Sequence, residues 1–361
     1  MTYIIAEAGV NHNGSISQAI KLIEAAKSAG ADCIKFQTFK AKDIVTSNSP
    51  KANYQLKVTS ENESQLEMLT KLELDQNAFV KLKEICEVND IDFLSTPYNI
   101  DDLDFLCSIG VKSLKIASGQ LTELSFIKNV AKKNITTFIS TGMSYLSDIL
   151  KVVEIFKQVK NSKLIILQCT TNYPSKLEDA NINVIKTLNA ISGIKVGYSD
   201  HVKENYACFA AVSLGVHTIE KHFTLDKTSE GPDHSSSLNP VEFKKLVSEI
   251  RKIEIALGSY DKFPSDSEKK NIMGMKRSLL YKHDIKKGTL LDHSDFSFKR
   301  PFDGLSPNEI KSAEYSPGVS CPYCYNKLTI EKRDSVIERQ KQILLAKARG
   351  ESHIGKNFSK K

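Results

Sequence analysis

The chain has 361 residues, is 40% hydrophobic and 26% charged, and carries a net charge of +7. That is enough for one large domain plus a smaller one, in an ordinary globular composition. No run approaches the roughly 18 apolar residues of a membrane span, and the opening TYIIAEAGV, with Glu7 inside it, reads as a first strand rather than a signal peptide.

The basic residues are scattered over helix faces and crowd toward the C-terminus, so a solvated surface is expected and a nucleic-acid partner is not. Seven cysteines (33, 86, 107, 169, 208, 321 and 324) fall mostly in apolar segments, which points to reduced thiols in a cytoplasmic protein.

Short β-like runs alternate with amphipathic helical stretches as far as about residue 257. Strands are predicted at IIAEAG (4–9), CIKFQT (33–38), DFLST (92–96), SLKIAS (113–118), TTFIST (136–141), LIILQC (164–169), IKVGYS (194–199) and HTIEKHF (217–223). Between them, SQAIKLIEAAKSAG and YACFAAVSLG carry apolar residues at helical spacing and close on Gly30 and Gly215, which suit C-terminal caps. Strand–helix alternation implies a parallel sheet. Eight such units in about 257 residues are what a closed (β/α)8 TIM barrel requires. An open doubly wound sheet would gather its polar residues at one switch point; here all eight strands carry them near their C-terminal ends.

The connection 39–90 is too long for a simple loop and is expected to cover the barrel mouth with helices of its own. After the barrel domain (1–257), a polar linker is expected over 258–275, a small β-rich segment over 276–314, and a basic tail with a C-x-x-C and a helix over 315–361.

Side chains alternate across a strand, so Glu220 and His222 share one face of the last strand and Lys221 takes the other. The preceding strand delivers His201 just past its end. Two imidazoles with a nearby carboxylate suit Mn²⁺, Fe²⁺, Co²⁺ or Zn²⁺; hydrogen-bonded structural histidines are the competing reading. Strand one offers Glu7, then Asn11, His12 and Asn13, and strand two puts Lys35 and Gln37 on one face. Thr96, Lys115 to Gly119, and Ser140 to Gly142 follow at the ends of strands three to five. Two lysines, hydroxyls and Gly-flanked amides make a phosphate cradle, unless Lys35 and Lys115 are surface lysines that snorkel. The residues alone therefore describe a barrel enzyme with a metal and a phosphorylated anionic ligand, without naming a reaction.

In order, IIAEAGVNHNG, IKFQTF, ANYQ, SQLEMLTKLEL, LSTPY, LKIASG, STGMS, LQCTTNYPS, VGYSDH, IEKHFT, GPDHSSSLNP and FKRPFDGLSP resemble the sialic acid synthase family over residues 1 to about 312. The resemblance implies a TIM barrel followed by a SAF (antifreeze-like) domain in a domain-swapped homodimer. It also implies condensation of phosphoenolpyruvate with an N-acetylated hexosamine, either N-acetylmannosamine or 2,4-diacetamido-2,4,6-trideoxymannose. His201 and His222 would bind Mn²⁺ or Mg²⁺. Lys35, Thr96, Lys115, Ser118, Ser140 and Ser199 would hold phosphoenolpyruvate. Glu7, Gln37, Asn53, Tyr173 and Asp233 would lie near the sugar, Glu220 would serve as acid/base, and Arg300 would reach the partner subunit's sugar. Thr171 stands where some members carry Asn, with Asn172 next.

The tail YSPGVSCPYCYNKLTIEKRDSVIERQKQILLAKARGESHIGK replaces the usual end of the SAF domain. It resembles the C-terminal segment of rhodanese-related tRNA uridine hydroxylases. A pseudaminic acid synthase, a pyruvate-dependent metal aldolase, and an impaired barrel with an RNA- or partner-binding tail are the alternative readings.

Overall fold

The computed structural model describes residues 1–52, 55–57, 59, 63–191, 194–284, 293–303, 306 and 307; Asn53 and the tail with Cys321 and Cys324 lie outside the described residues. The chain divides after Gly258 into two units. The first holds eight strands: β1 (Tyr3–Gly9), β2 (Cys33–Thr38), β3 (Asp92–Pro97), β4 (Ser113–Ile116), β5 (Thr136–Ser140), β6 (Leu164–Cys169), β7 (Lys195–Asp200) and β8 (Thr218–His222). They run parallel in the order β3-β2-β1-β8-β7-β6-β5-β4, and β3 packs beside β4 to complete the ring. This is a (β/α)8 barrel.

Its helices are α1 (Ile16–Ser28), α4 (Gln76–Val88), α5 (Ile100–Ser108), α6 (Leu124–Lys132), α7 (Leu146–Gln158), α8 (Val184–Asn189), α9 (Tyr206–Ser213) and α10 (Pro240–Leu257); α2 (Ala41–Ile44) and α3 (Gln65–Thr70) lie within the long β2–α4 connection. Local chemistry sets their ends. In α1 the Ser15 side chain accepts from the Gln18 amide, and Gly30 follows at φ +89°, a conformation glycine adopts without strain. Helix α10 opens on an Asn239/Glu242 capping box with Pro240 in its first turn.

Strand parity sorts the core into two layers. Outward residues such as Ile4, Ala6, Ile34, Phe36, Leu114 and Ile219 pack against the helices. Inward residues Ile5, Cys33, Leu94, Phe138, Ile165 and Leu167 form a separate plug inside the barrel, with Tyr3 against it. One inward step further along the strands the composition becomes ionic: Glu7, Lys35, Lys115 and Glu220 are all buried. The apolar plug closes the bottom of the barrel, and the charges form the floor of a cavity at its C-terminal end.

The second unit, from Ser259, contains α11 (Asp266–Met275), β9 (Ser278–Tyr281) and β10 (Phe296–Lys299), the two strands pairing antiparallel. Helix α11 lies within the span expected to be a linker. Ser265 and Glu268 form a capping box at its start, and that local signal outweighs the polar composition. Among the described residues no helix is long and apolar enough to cross a membrane.

Candidate active site

A cavity of about 260 Å³ opens where the barrel strands end. Its floor is an ion cluster. Lys35 Nζ lies 2.8 Å from Glu7 Oε1 and 3.7 Å from Glu220 Oε1, and Lys115 Nζ is also 3.7 Å from Glu220 Oε1. Both lysines are almost fully buried, which excludes the snorkelling reading. Ser199 Oγ donates to Glu220 Oε1 at 3.0 Å, and Gln37 Nε2 donates to Glu7 Oε1 at 3.2 Å.

Shared cations drive the two carboxyls apart. Burial pushes Glu7 up to about 7, Lys35 pulling it down and Glu220 pushing it further up. Burial acts on Glu220 in the same sense, but Lys115 and Lys35 together hold it below the usual carboxylate range. The 2.8 Å ion pair therefore offsets only part of the burial of Glu7, because Glu220 competes for the same cations. The lysines also differ. Burial disfavours the charge on Lys35, yet Glu220 and Glu7 outweigh it and raise its pKa. For Lys115 burial wins over Glu220, with Lys35 adding to it, and the pKa falls.

Beside this floor stands a cradle of hydroxyls and a backbone amide. Lys115 Nζ donates to Ser140 Oγ at 2.7 Å, and the Gly142 amide donates to Ser118 Oγ at 3.0 Å. A Cβ on Gly142 would come within 2.0 Å of Thr171 Oγ1, so only glycine fits this approach. Thr96 and Thr171 also line the cavity. Asn172 is exposed, so of the two neighbours it is Thr171 that faces inward.

On the other side His201 and His222 approach with ring centroids 5.2 Å apart, and Tyr173 packs on both, at 4.1 and 5.4 Å. His201 Nδ1 donates to the Thr170 carbonyl at 2.6 Å, so in the neutral ring the lone pair sits on Nε2; burial opposes the charge on His201, but Cys169 and the Thr170 carbonyl outweigh it and raise the pKa. Asp233 Oδ2 lies 3.9 Å from His222 Nδ1, and burial pushes Asp233 up to about 6. Burial, then His201 and the lysines, hold His222 well below the imidazole range.

Four buried atoms on the cavity wall have no hydrogen-bond partner among the described residues: Glu7 Oε2, Thr171 Oγ1, Glu220 Oε2 and His222 Nδ1. Such atoms are costly unless something fills the site. An unpartnered neutral imidazole beside a second one fits a divalent ion. No group of three or more His, Cys, Asp or Glu residues at metal-binding spacing occurs among the described residues.

Of the residues singled out from sequence, Glu7, Lys35, Gln37, Thr96 and Lys115 line this cavity, as do Ser118, Ser140, Thr171, Tyr173 and Ser199, and His201, Glu220, His222 and Asp233. Arg300 belongs to the second unit, where its Nε donates to the Met275 carbonyl at 3.0 Å.

Asn11, His12 and Asn13 do not line the cavity; they brace its wall. Asn11 Nδ2 donates to the Phe223 carbonyl and Ser237 Oγ, and Asn13 Nδ2 donates to the Glu230 carbonyl. Two polar lining residues next to the ion cluster and the imidazoles were among those that escaped the sequence reading. Tyr98 OH donates to Gln37 Oε1 at 3.1 Å, and its place two residues beyond Thr96 was the available signal. Cys169, at the end of β6, sits 3.8 Å from His201 Nδ1. A broad depression of about 540 Å³ at the opposite end of the barrel is lined by Tyr3, Asp32, Asp92 and surface lysines. It lacks this concentration of buried charge.

Comparison with known proteins identifies the family. The model of the NeuB family matches residues 22–262. An N,N'-diacetyllegionaminic acid synthase of Campylobacter jejuni is 45% identical over 307 residues, covering 84% of this chain and 92% of the relative. A pseudaminic acid synthase of the same species is 37% identical, covering 84% and 89%. The crystal structure of an N-acetylneuraminic acid synthetase from Leptospira borgpetersenii superposes with a TM-score of 0.67 at 34% identity, covering 75% of this chain and 90% of that one. The chain belongs to the NeuB family.

Proposed function

We propose that the protein is a nonulosonic acid synthase. It condenses phosphoenolpyruvate and water with an N-acetylated hexosamine, either N-acetylmannosamine or 2,4-diacetamido-2,4,6-trideoxymannose, to a nine-carbon 2-keto sugar acid and phosphate. The observation that carries this reading is the pairing of Lys35 and Lys115 around Glu220, next to the Ser118/Ser140/Gly142 cradle and facing two imidazoles. A pyruvate aldolase has no use for the cradle.

In the proposed roles Lys35, Lys115, Thr96, Ser118, Ser140, Thr171 and Ser199 bind the phosphate and carboxylate of phosphoenolpyruvate as charged and hydroxyl donors. Gln37, Tyr173 and Asp233 orient the sugar, and Asn53 adds a further contact. C3 of phosphoenolpyruvate forms the new C–C bond to the aldehyde carbon, and the aldehyde oxygen takes a proton. Glu7, pushed up to about 7 by burial, is matched to supply that proton near neutrality. Water then adds at C2, and the C2–O bond to phosphate breaks. Glu220, kept ionised by Lys115 and Lys35, accepts the proton of water and stabilises positive charge at C2.

His201 and His222 are the proposed ligands of a divalent ion, which when bound polarises the aldehyde. Two imidazoles favour Mn²⁺ over Mg²⁺, which prefers oxygen ligands. A domain-swapped homodimer in which Arg300 meets the partner subunit's sugar completes the proposal.

Phosphate release from phosphoenolpyruvate with each sugar, with mass spectrometry of the product, tests it. Turnover with phosphoenolpyruvate and none with pyruvate is expected. Turnover with pyruvate, or no sugar-dependent phosphate release, would overturn it.

A further inference from the structure

Resting on the proposed role of the two imidazoles, we infer that Lys221, which faces away from the cavity, is a positioning residue that holds His201 in register with His222. Asp200 and Lys221 are paired across β7 and β8, each one residue before a histidine. Strand parity turns both side chains outward, while the preceding pair, Ser199 and Glu220, faces the cavity and meets at 3.0 Å. The outward residues Val196, Tyr198 and Ile219 of the same strands pack into the apolar layer with Ala207, Cys208 and Ala211 of α9. An ion pair of which each member is 1% exposed therefore stands in a hydrophobic setting. For stability alone such a pair has little advantage over an apolar one of the same volume. Its geometry points instead to the backbone around His201.

His201 lies just past the last residue of β7 that pairs with β8, where the ladder no longer fixes the chain. The Lys221 ammonium takes over there. It donates to Asp200 Oδ2 at 2.6 Å, to the Val202 carbonyl, and to the Glu204 carbonyl at 3.3 Å. Asp200 Oδ1 in turn accepts from the Val202 amide at 2.9 Å. Residues on both sides of His201 are thus tied to one buried charge. From the β6 side the Ser175 amide donates to the His201 carbonyl at 2.8 Å, and the ring Nδ1–H reaches the Thr170 carbonyl. Lys221 itself precedes His222, whose carbonyl accepts from the Leu238 amide at 2.9 Å. The ammonium therefore links the backbones that carry both rings, whose centroids stand 5.2 Å apart. Groups that orient a metal ligand without touching the metal contribute about 10–100-fold in affinity.

The test uses the full chain with Lys221→Met and with the double variant Lys221→Met/Asp200→Asn. The single variant leaves Asp200 buried without its cation. The double variant removes that charge and with it much of the folding defect, yet leaves the Val202 and Glu204 carbonyls without their donor. If Lys221→Met does not fold, the double variant carries the test. Each protein is titrated with Mn²⁺ by calorimetry at a temperature where circular dichroism shows it folded. The Kd for Mn²⁺ is expected to rise tenfold or more in both variants. In metal-free protein the proton–nitrogen NMR signal of His201 Nδ1–H, identified by its loss in His201→Gln, is expected to shift or broaden. A purely structural role predicts that both readouts recover with stability in the double variant. A Kd in the double variant less than tenfold above wild type, or an unchanged His201 signal, would overturn the inference. If the wild type binds no Mn²⁺, the metal assignment falls, and the metal-free His201 signal alone decides the inference.

Discussion

Replacing Lys221 with methionine should destabilise the barrel by about 3–5 kcal/mol, the usual cost of leaving one partner of a buried ion pair uncompensated. Lys221 is 1% exposed and Asp200 likewise 1%, and their Nζ–Oδ2 distance is 2.6 Å. The same ammonium donates to the carbonyls of Val202 and Glu204, on the loop that carries His201. In the variant, Asp200 keeps Tyr198 OH at 2.8 Å, the Val202 amide at 2.9 Å and Cys208 Sγ at 3.1 Å, but no cation remains. Methionine fills most of the stem's volume, so little of the loss comes from a cavity. The measurement is urea unfolding followed by circular dichroism, fitting the barrel transition separately because the chain has two units. Lys252→Met, on the exposed pair with Glu249 in α10 of the same unit, is the control and should cost less than about 1 kcal/mol. The double variant Lys221→Met/Asp200→Asn should recover part of the loss. A loss in Lys221→Met no greater than in the control would refute the argument.

His12 gives a prediction about acid. Burial and the proximity of His234 lower it to about 4 from an ordinary 6.5. Below pH 6.5 the unfolded chain takes up a proton that the folded chain refuses, so stability falls as pH drops from about 6.5 through about 4. The full effect is about 3 kcal/mol. His12→Gln should flatten that limb in urea titrations at pH 7 and pH 4.5, and an unchanged slope would refute the assignment. Gly142→Ala puts a methyl against Thr171 Oγ1 and Ser118 Oγ; KM for phosphoenolpyruvate should rise tenfold or more with KM for the sugar held, whereas an unaltered KM would remove the cradle from phosphate binding. His222→Ala should abolish turnover and calorimetric Mn²⁺ binding while leaving the melting curve intact. Near-normal activity insensitive to chelator would sink the metal assignment.

Most of the site was legible before folding because β-strand parity is local. The alternation of Glu220, Lys221 and His222 already separates two cavity residues from the one that turns away to Asp200. The same rule assigns Lys35 with Gln37 and leaves Phe36 to the outer core. Eight strand–helix units of the right length then leave few topologies besides a barrel. Beyond strand ends backbone direction is set by packing, and parity holds only in places. Asn11, His12 and Asn13, polar and in the right loop, became braces, while Tyr98, one residue past β3, keeps the parity of Thr96 and reaches the cavity. The Ser265/Glu268 capping box was likewise present in the sequence, but a polar, Gly- and Pro-flanked context hid the helix it starts.

What the amino-acid sequence determined by itself was therefore the fold class and the inventory of reacting groups, since both rest on short-range periodicity. Only the tertiary structure decided how those groups share charge. Glu7, Lys35, Lys115 and Glu220 are distant in the chain, and their opposite pKa shifts arise from burial together at distances of 2.8 to 3.7 Å. Electrostatics in a low-dielectric cavity depends on those distances, which no local pattern encodes. The mixed lining of the cavity was decided in the same way, because Phe39, Ile44, Val45 and Leu69 meet the strand-end charges only in the folded chain.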